Sequence, residues 1–246
     1  MLRCALVVLF LPVLASAAPP ETSIRPEARQ SVVLQTTAEP EASQSAPATS
    51  VRPGKRPRRV ERAGRVASKL RAEGSICRDA DIQGDVLGRV TSRVVGCGID
   101  EAVGVRAVAG VTLSPRATMD CTTAAALKEW VEGSVKPTFS KMGGGVVSLR
   151  VAGHYACRRR NNRSSGRISE HGKGRAIDIS EFRLQDGTSV SVLKGWHAAS
   201  TRGAIREVHR AACGPFGTVL GPNSDRYHQD HFHFDTARYR SGPYCR

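Results

Sequence analysis

Apolar and polar positions alternate in short bursts along the last two-thirds of the chain, and a period of two is the mark of strands with one buried face. Runs at residues 93–99, 103–113, 146–152, 176–182 and 189–193 are rich in valine, isoleucine and leucine and read as strands. Two segments switch to helical spacing. Asp120 to Thr122 offers an N-cap ahead of Ala124, Leu127, Trp130 and Val131, and Thr201 to Ala212 reads as a second helix. Pro137 and the run Gly143 to Gly145 mark loops. This pattern predicts one α+β domain over residues 75–246, with a small, mainly antiparallel sheet and flanking helices, a size within the usual range for a single domain.

Ahead of residue 75 the pattern changes character. Met1-Leu2-Arg3, the apolar run Ala5 to Leu14 and the small residues Ala15-Ser16-Ala17 predict a secretory signal peptide over residues 1–17. The apolar run is too short for a stable transmembrane anchor, and no later segment reaches the length that spanning needs. Residues 18–74 form a linker. Its first part is rich in Pro, Ser, Thr, Ala and Glu and lacks the apolar surface that would offset chain entropy, so it is expected to be disordered. Residues 52–71 then carry nine Lys and Arg against Glu61 alone, a net of +8 out of a formal +15 for all 246 residues. A basic segment on an exported chain suits an anionic cell envelope, including the carboxylates of peptidoglycan, or serves as a solvated spacer. Nucleic acid is excluded as the expected partner by export and by the absence of interleaved aromatic residues that would stack on bases.

Cysteine usage agrees with export to a periplasmic or extracellular space. Setting aside Cys4, the chain has Cys77, Cys97, Cys121, Cys157, Cys213 and Cys245, an even set without a Cys-x-x-Cys pair. Three disulfides are expected, in any of fifteen pairings.

The candidate chemistry lies in two segments, Ser169 to Asp178 and His228 to His233, which hold four of the seven histidines. Ala176-Ile177-Asp178-Ile179-Ser180 alternates, so Asp178 points away from two isoleucines that face the core. His171 comes from the turn Gly172-Lys173-Gly174, whose glycines allow tight folding. His231 and His233 stand two apart in an alternating run and project from one strand face, with Asp235 on the same face, placed to fix an imidazole tautomer. His228, at an odd offset, belongs to the preceding loop. Two imidazoles and a carboxylate that leave a position open match a catalytic zinc site more closely than a structural one, which usually closes with Cys. Other transition metals accept the same donors. A structural role for these histidines, or a metal site that binds without cleaving, is the competing reading.

His-x6-Asp followed by a distant His-x-His resembles the superfamily of lysostaphin-type peptidases, D-Ala-D-Ala metallopeptidases and hedgehog domains, with the spacing of His228, His231 and His233 most similar to the murein endopeptidases. At closer range, Ala156-Cys157-Arg158, Ser169-Glu170-His171, Ala176 to Ile179, Trp196, Cys213 to Phe216, His231 to Asp235 and Tyr244-Cys245 resemble the bacterial extensin-like C-terminal family over about residues 75–246. The resemblance implies a hedgehog and D-Ala-D-Ala peptidase-like fold and one Zn2+ held by His171, Asp178 and His233. It further implies that His231 and His228 act as catalytic imidazoles. The D-Ala-D-Ala peptidase pattern places a Glu base three residues before the last ligand. Asp230 stands there instead, and a strand would turn it away, so the base passes to a histidine. Arg158 and Trp196 are assigned to substrate binding. The expected function is an exported zinc hydrolase that cleaves amide bonds of peptidoglycan; the alternative is a non-catalytic zinc-containing module that binds the envelope.

Overall fold

A computed structural model describes residues 72–246 continuously, together with 61, 62, 65, 68 and 69. The expectations for residues 1–17, and for the linker up to 71 apart from those five positions, lie outside the described residues. Among the described residues ten strands make one sheet: β1 (Ser75–Ile76), β2 (Asp79–Val90), β3 (Ile99–Val108), β4 (Val111–Met119), β5 (Val146–Gly153), β6 (Ala176–Leu184), β7 (Ser189–Ser191), β8 (Thr218–Leu220), β9 (Phe232–Asp235) and β10 (Tyr244–Cys245). Their order is β1-β2-β3-β4-β5-β6-β9-β8-β10, with β7 on β6. The β4/β5 and β8/β10 pairs are parallel and the remaining pairs antiparallel. The fold is therefore mixed α and β and mostly antiparallel, but its sheet is larger than the sequence pattern predicts.

Two strands account for much of the difference. β2 hides its alternation behind Asp79, Asp81, Asp85 and Arg89, and behind register shifts around Gly84 and Gly88. The run 103–113, expected as one strand, is a hairpin: Ala109 and Gly110 take φ of 48° and 82°, the left-handed pair of a two-residue turn, and separate β3 from β4. Residues 93–98, also expected as a strand, form a turn in which the Cys97 N–H donates to the Val94 carbonyl.

The helices cover one face. In α1 (Cys121–Trp130), Asp120 Oδ1 accepts from the Thr123 N–H at 2.7 Å, the expected N-cap. The chain continues through a π-helical turn (Val131–Val135) into α2 (Lys136–Phe139), so Pro137 lies in a helix rather than a loop. A short α3 (Val192–Gly195) takes over the end of the expected strand 189–193, and α4 (Arg202–Ala211) forms as read. Trp130 ties these layers together, donating to the Val208 carbonyl at 2.7 Å and meeting the Phe234 ring edge-on at 4.9 Å. Ile177, Ile179, Phe182, Phe232 and Phe234 fill the sheet side of this core with no exposure.

Three disulfides form: Cys77–Cys121, Cys97–Cys157 and Cys213–Cys245, closing separations of 44, 60 and 32 residues. Loops of such length stabilise the fold by about 4 kcal/mol each on the chain-entropy account. Among the described residues no helix is long and apolar enough to cross a membrane.

His209 of α4 lies in this core, its ring 4.9 Å from Phe232 and 5.3 Å from Trp196. Burial pushes its pKa down to about 4 against a partly opposing interaction with the Leu220 backbone. The folded value is below the unfolded one, so the stability it contributes is complete above pH 6.5 and is lost as pH falls toward 4, on the order of 3 kcal/mol in all. His209→Leu should flatten the stability profile between pH 6.5 and 4 in urea titrations; an unchanged acid slope would refute this account.

Candidate metal centre

Asp178 and His233 are direct partners across β6 and β9, and Leu220 of β8 continues the row. The intervening row, Ile177, Phe234 and Val219, faces the core, and the next, Ala176, Asp235, Thr218 and Tyr244, returns to the open face. Alternation thus delivers Asp178, His233 and Asp235 to one side. Gly153 of β5 flanks Asp178, and a Cβ there would come within 2.3 Å of Asp178 Oδ2, so only glycine leaves room for the carboxylate.

His171 enters from a 3-10 turn (Glu170–Lys173) that ends at Gly174 with φ of 69°. Backbone N–H groups of Gly98, Ala156 and Asp120 donate to the carbonyls of Gly172, His171 and Gly174, and the Cys97–Cys157 disulfide joins two of the strands of chain that make these bonds. Residues far apart in sequence therefore fix the turn.

The three side chains converge. His171 Nε2 lies 3.1 Å from His233 Nδ1 and 3.2 Å from Asp178 Oδ1, and His233 Nδ1 lies 2.9 Å from Asp178 Oδ1. Nitrogen and oxygen ligands of tetrahedral zinc, at roughly 2.0–2.2 Å from the ion, stand about 3.4 Å from one another, so the triangle is close to the size required. The outer nitrogens are committed as well: His171 Nδ1 donates to the His154 carbonyl at 2.8 Å, and His233 Nε2 donates to Asp235 Oδ2 at 3.2 Å. This arrangement fixes the orientation of both rings and turns His171 Nε2 and His233 Nδ1 toward a common point. Asp178 and Asp235 are 5% and 3% exposed. A divalent cation would balance these two buried carboxylates, whereas a single imidazolium balances one.

Charge follows from the same contacts. Burial raises the Asp178 carboxyl, but contact with His171 and His233 outweighs it and holds the group well below the usual carboxylate range. Burial lowers the His233 imidazolium, but Asp178 and Asp235 raise it to about 9.

Two further imidazoles border the triangle. His231 precedes β9 rather than lying in it; its Nδ1 donates to Asp230 Oδ1 at 2.8 Å and its Nε2 is 3.9 Å from Asp178 Oδ1. His228, in the β8/β9 loop, donates from Nδ1 to Asp225 Oδ1 at 2.7 Å, with its ring 5.3 Å from His231 and 5.6 Å from His233. Burial lowers its pKa and Asp225 opposes that shift. These groups open into a cavity of about 620 Å³ whose rim includes Arg158, Asn161, Asn162, Tyr227, Tyr239 and Tyr244.

Residues 77–246 match the family described as Extensin-like protein C-terminus. The chain belongs to this family. Searches among curated proteins and among solved structures returned no match.

In this extensin-like domain the structure brings together His171, Asp178, His233, Asp235, His231, His228 and Arg158, all of which line the cavity. Trp196 does not join them. It is 4% exposed, packs its ring against His209 and Phe232, and donates from Nε1 to Asn223 Oδ1. A hydrophobic ring with one polar edge is satisfied there as core, so its assignment to substrate is withdrawn. Sequence reasoning missed Asp225, the carboxylate of His228, although an Asp three residues before a loop His is a legible Asx-turn signal. It also missed the three tyrosines, which carry no spacing signal.

Near neutral pH the metal-free His233 is an imidazolium, and Nδ1 must give up its proton to become a ligand. Zinc binding should therefore release about one proton per site, and affinity should fall as pH drops below 9. Calorimetry in buffers of different ionisation enthalpy reads the proton directly. Tight binding with no proton released would remove His233 Nδ1 from the ligand set.

Proposed function

We propose that the domain is a zinc-dependent hydrolase of peptide bonds in cell-wall peptidoglycan, of the hedgehog and D-Ala-D-Ala peptidase-like group. The observation that carries this reading is the convergence of His171 Nε2, Asp178 Oδ1 and His233 Nδ1 beneath a cavity lined by two further imidazoles, His228 and His231, each paired with an Asp. A closed structural site has no use for those pairs, whereas amide hydrolysis needs groups that move protons. Zinc held by His171, Asp178 and His233 supplies Lewis acidity, polarising a carbonyl and acidifying water.

The protein's own residues divide the remaining work. Asp225 holds His228 with Nδ1 as the donor, so Nε2 is left as an acceptor, and burial keeps the ring neutral at physiological pH. His228 is thus suited to take a proton during attack and return it to the leaving amine. Asp230 anchors His231, whose Nε2 faces Asp178 and is placed to donate to charge that develops on the carbonyl oxygen. Arg158 lines the same cavity with no carboxylate partner among the described residues, which leaves its guanidinium for an acidic group of the substrate. The three disulfides suit an oxidising compartment outside the cytosol, where such a polymer is found.

Mass spectrometry of purified peptidoglycan, digested with the zinc-loaded full chain, tests the proposal. New peptide fragments are expected from the wild type and none from His171→Ala. His228→Ala should bind zinc normally and lose about 10²- to 10⁴-fold in kcat, the span of one general acid–base group. Intact muropeptides from a wild type with zinc bound one per chain would sink the enzyme reading and leave a binding module. Because Asp225 raises the His228 pKa, Asp225→Asn should move the acid limb of the kcat/KM profile to lower pH; a limb that stays in place would assign it to another group.

A further inference from the structure

Exposed aromatic rings gather at this cavity. Phe139, Phe182, Phe216, Phe232 and Phe234, with Trp130 and Trp196, are all buried. Tyr227, Tyr239 and Tyr244 are 38%, 41% and 48% exposed, and each lines the cavity. They arrive from two segments, the β8/β9 loop and the stretch that follows β9, so neither one helix face nor one strand accounts for the grouping.

The sheet places one of them on a row with the site, and a second reaches the same row from the preceding loop. Tyr244 of β10 pairs with Thr218 of β8, and Thr218 pairs with Asp235 of β9, the carboxylate that holds His233. Tyr239 reaches the same point, its hydroxyl 3.2 Å from Thr218 Oγ1. The Cys213–Cys245 disulfide anchors the tail one residue beyond Tyr244, and the Arg246 guanidinium rests 5.4 Å from the centre of its ring. These contacts hold the Tyr244 ring at the rim.

Distance separates this rim from the reacting centre. β10 is two strand spacings from β9, about 10 Å. A group on Tyr244 therefore cannot be the residue being cleaved; it must be a part of the substrate joined to it. The rim chemistry points to the kind of part. Phenol rings offer flat apolar faces with a polar edge, and Asn161, Asn162 and Arg158 in the same cavity offer planar hydrogen-bonding forks. A pyranose ring has both complements, an apolar C–H face and a hydroxyl edge.

We propose that Tyr239 and Tyr244 form a sugar-stacking subsite that holds a pyranose of the glycan strand while the attached peptide lies over His171, Asp178 and His233. The proposal rests on the peptidoglycan reading and narrows it, making the substrate the polymer rather than a released peptide.

The test uses the zinc-loaded full chain with two probes, glycan strands stripped of peptide and stem peptides released from glycan, each titrated by NMR line broadening. Peptide-free glycan should bind the wild type. The double variant Tyr239→Ser with Tyr244→Ser should bind it about tenfold more weakly, the size expected for two lost ring contacts. Tyr244→Phe should stay within about threefold of wild type, since the face and not the hydroxyl is used. Zinc stoichiometry and disulfide content, unchanged in the variants, report that the fold is intact. Glycan strands that do not bind, or that bind the double variant equally well, overturn the proposal. A protein that cleaves stem peptides and ignores glycan loses this subsite and keeps the hydrolase reading; one that holds glycan through these rings and cleaves nothing keeps the subsite and loses the hydrolase.

Discussion

The pairing of Asp178 with His233 across β6 and β9 is the constraint on which the rest of the structure depends. Side chains alternate with period two, so the register that places these residues opposite each other also sends Ile177, Phe234 and Val219 into the core. A slip of one residue would bury the charged row and expose the phenylalanines. Core and site therefore enforce one another: the hydrophobic face fixes the register, and the register builds the ligand row. Gly153 completes the arrangement from the other side of β6, because any side chain there would occupy the space of the Asp178 carboxylate.

Charge imposes the second constraint. Two nearly buried carboxylates lie within hydrogen-bonding distance of one imidazole, with a second imidazole held by a backbone carbonyl. Left uncompensated, such a set is costly to desolvate. The structure meets that cost by drawing in groups from remote segments, and those segments are the ones the disulfides hold. Cys97–Cys157 borders the His171 turn, and Cys213–Cys245 fastens the tail that closes the cavity rim. Two of the three covalent links thus lie beside segments that carry cavity side chains, one at the His171 turn and one at the last strand.

This division explains what was legible in the sequence. Strands β5 and β6 and helices α1 and α4 could be read because burial of one face leaves a clean period. The ligand segments could be read because His171, Asp178, His231 and His233 have local spacing within a strand or a glycine turn. β2 could not, since acidic residues and bulged glycines interrupt its alternation, and the 103–113 run could not be divided because Ala109-Gly110 is a weak turn signal beside its apolar neighbours. Trp196 was misplaced because an aromatic residue in a matching motif looks the same in sequence whether it lines a cavity or packs behind it. Asp225 and the tyrosines were missed for a different reason: their roles arise from tertiary placement alone.

Asp230 shows how one short carboxylate changes the division of labour. It occupies the position where D-Ala-D-Ala peptidases are expected to place a glutamate base, yet its side chain is 69% exposed and its Oδ1 accepts from His231 Nδ1 at 2.8 Å. Three residues before the last ligand, a side chain that would have to turn back across the strand edge needs more length than an aspartate has. His231 provides that reach, with one ring nitrogen on Asp230 and the other directed toward Asp178. On the hydrolase reading, the role that the D-Ala-D-Ala peptidase pattern gives to a carboxyl passes here to an imidazole, and His228 with Asp225 repeats the device on the neighbouring loop. Both carboxylates then serve as positioning residues, and the pH range of the chemistry passes from a carboxyl to a histidine, whose ordinary pKa already lies close to neutrality.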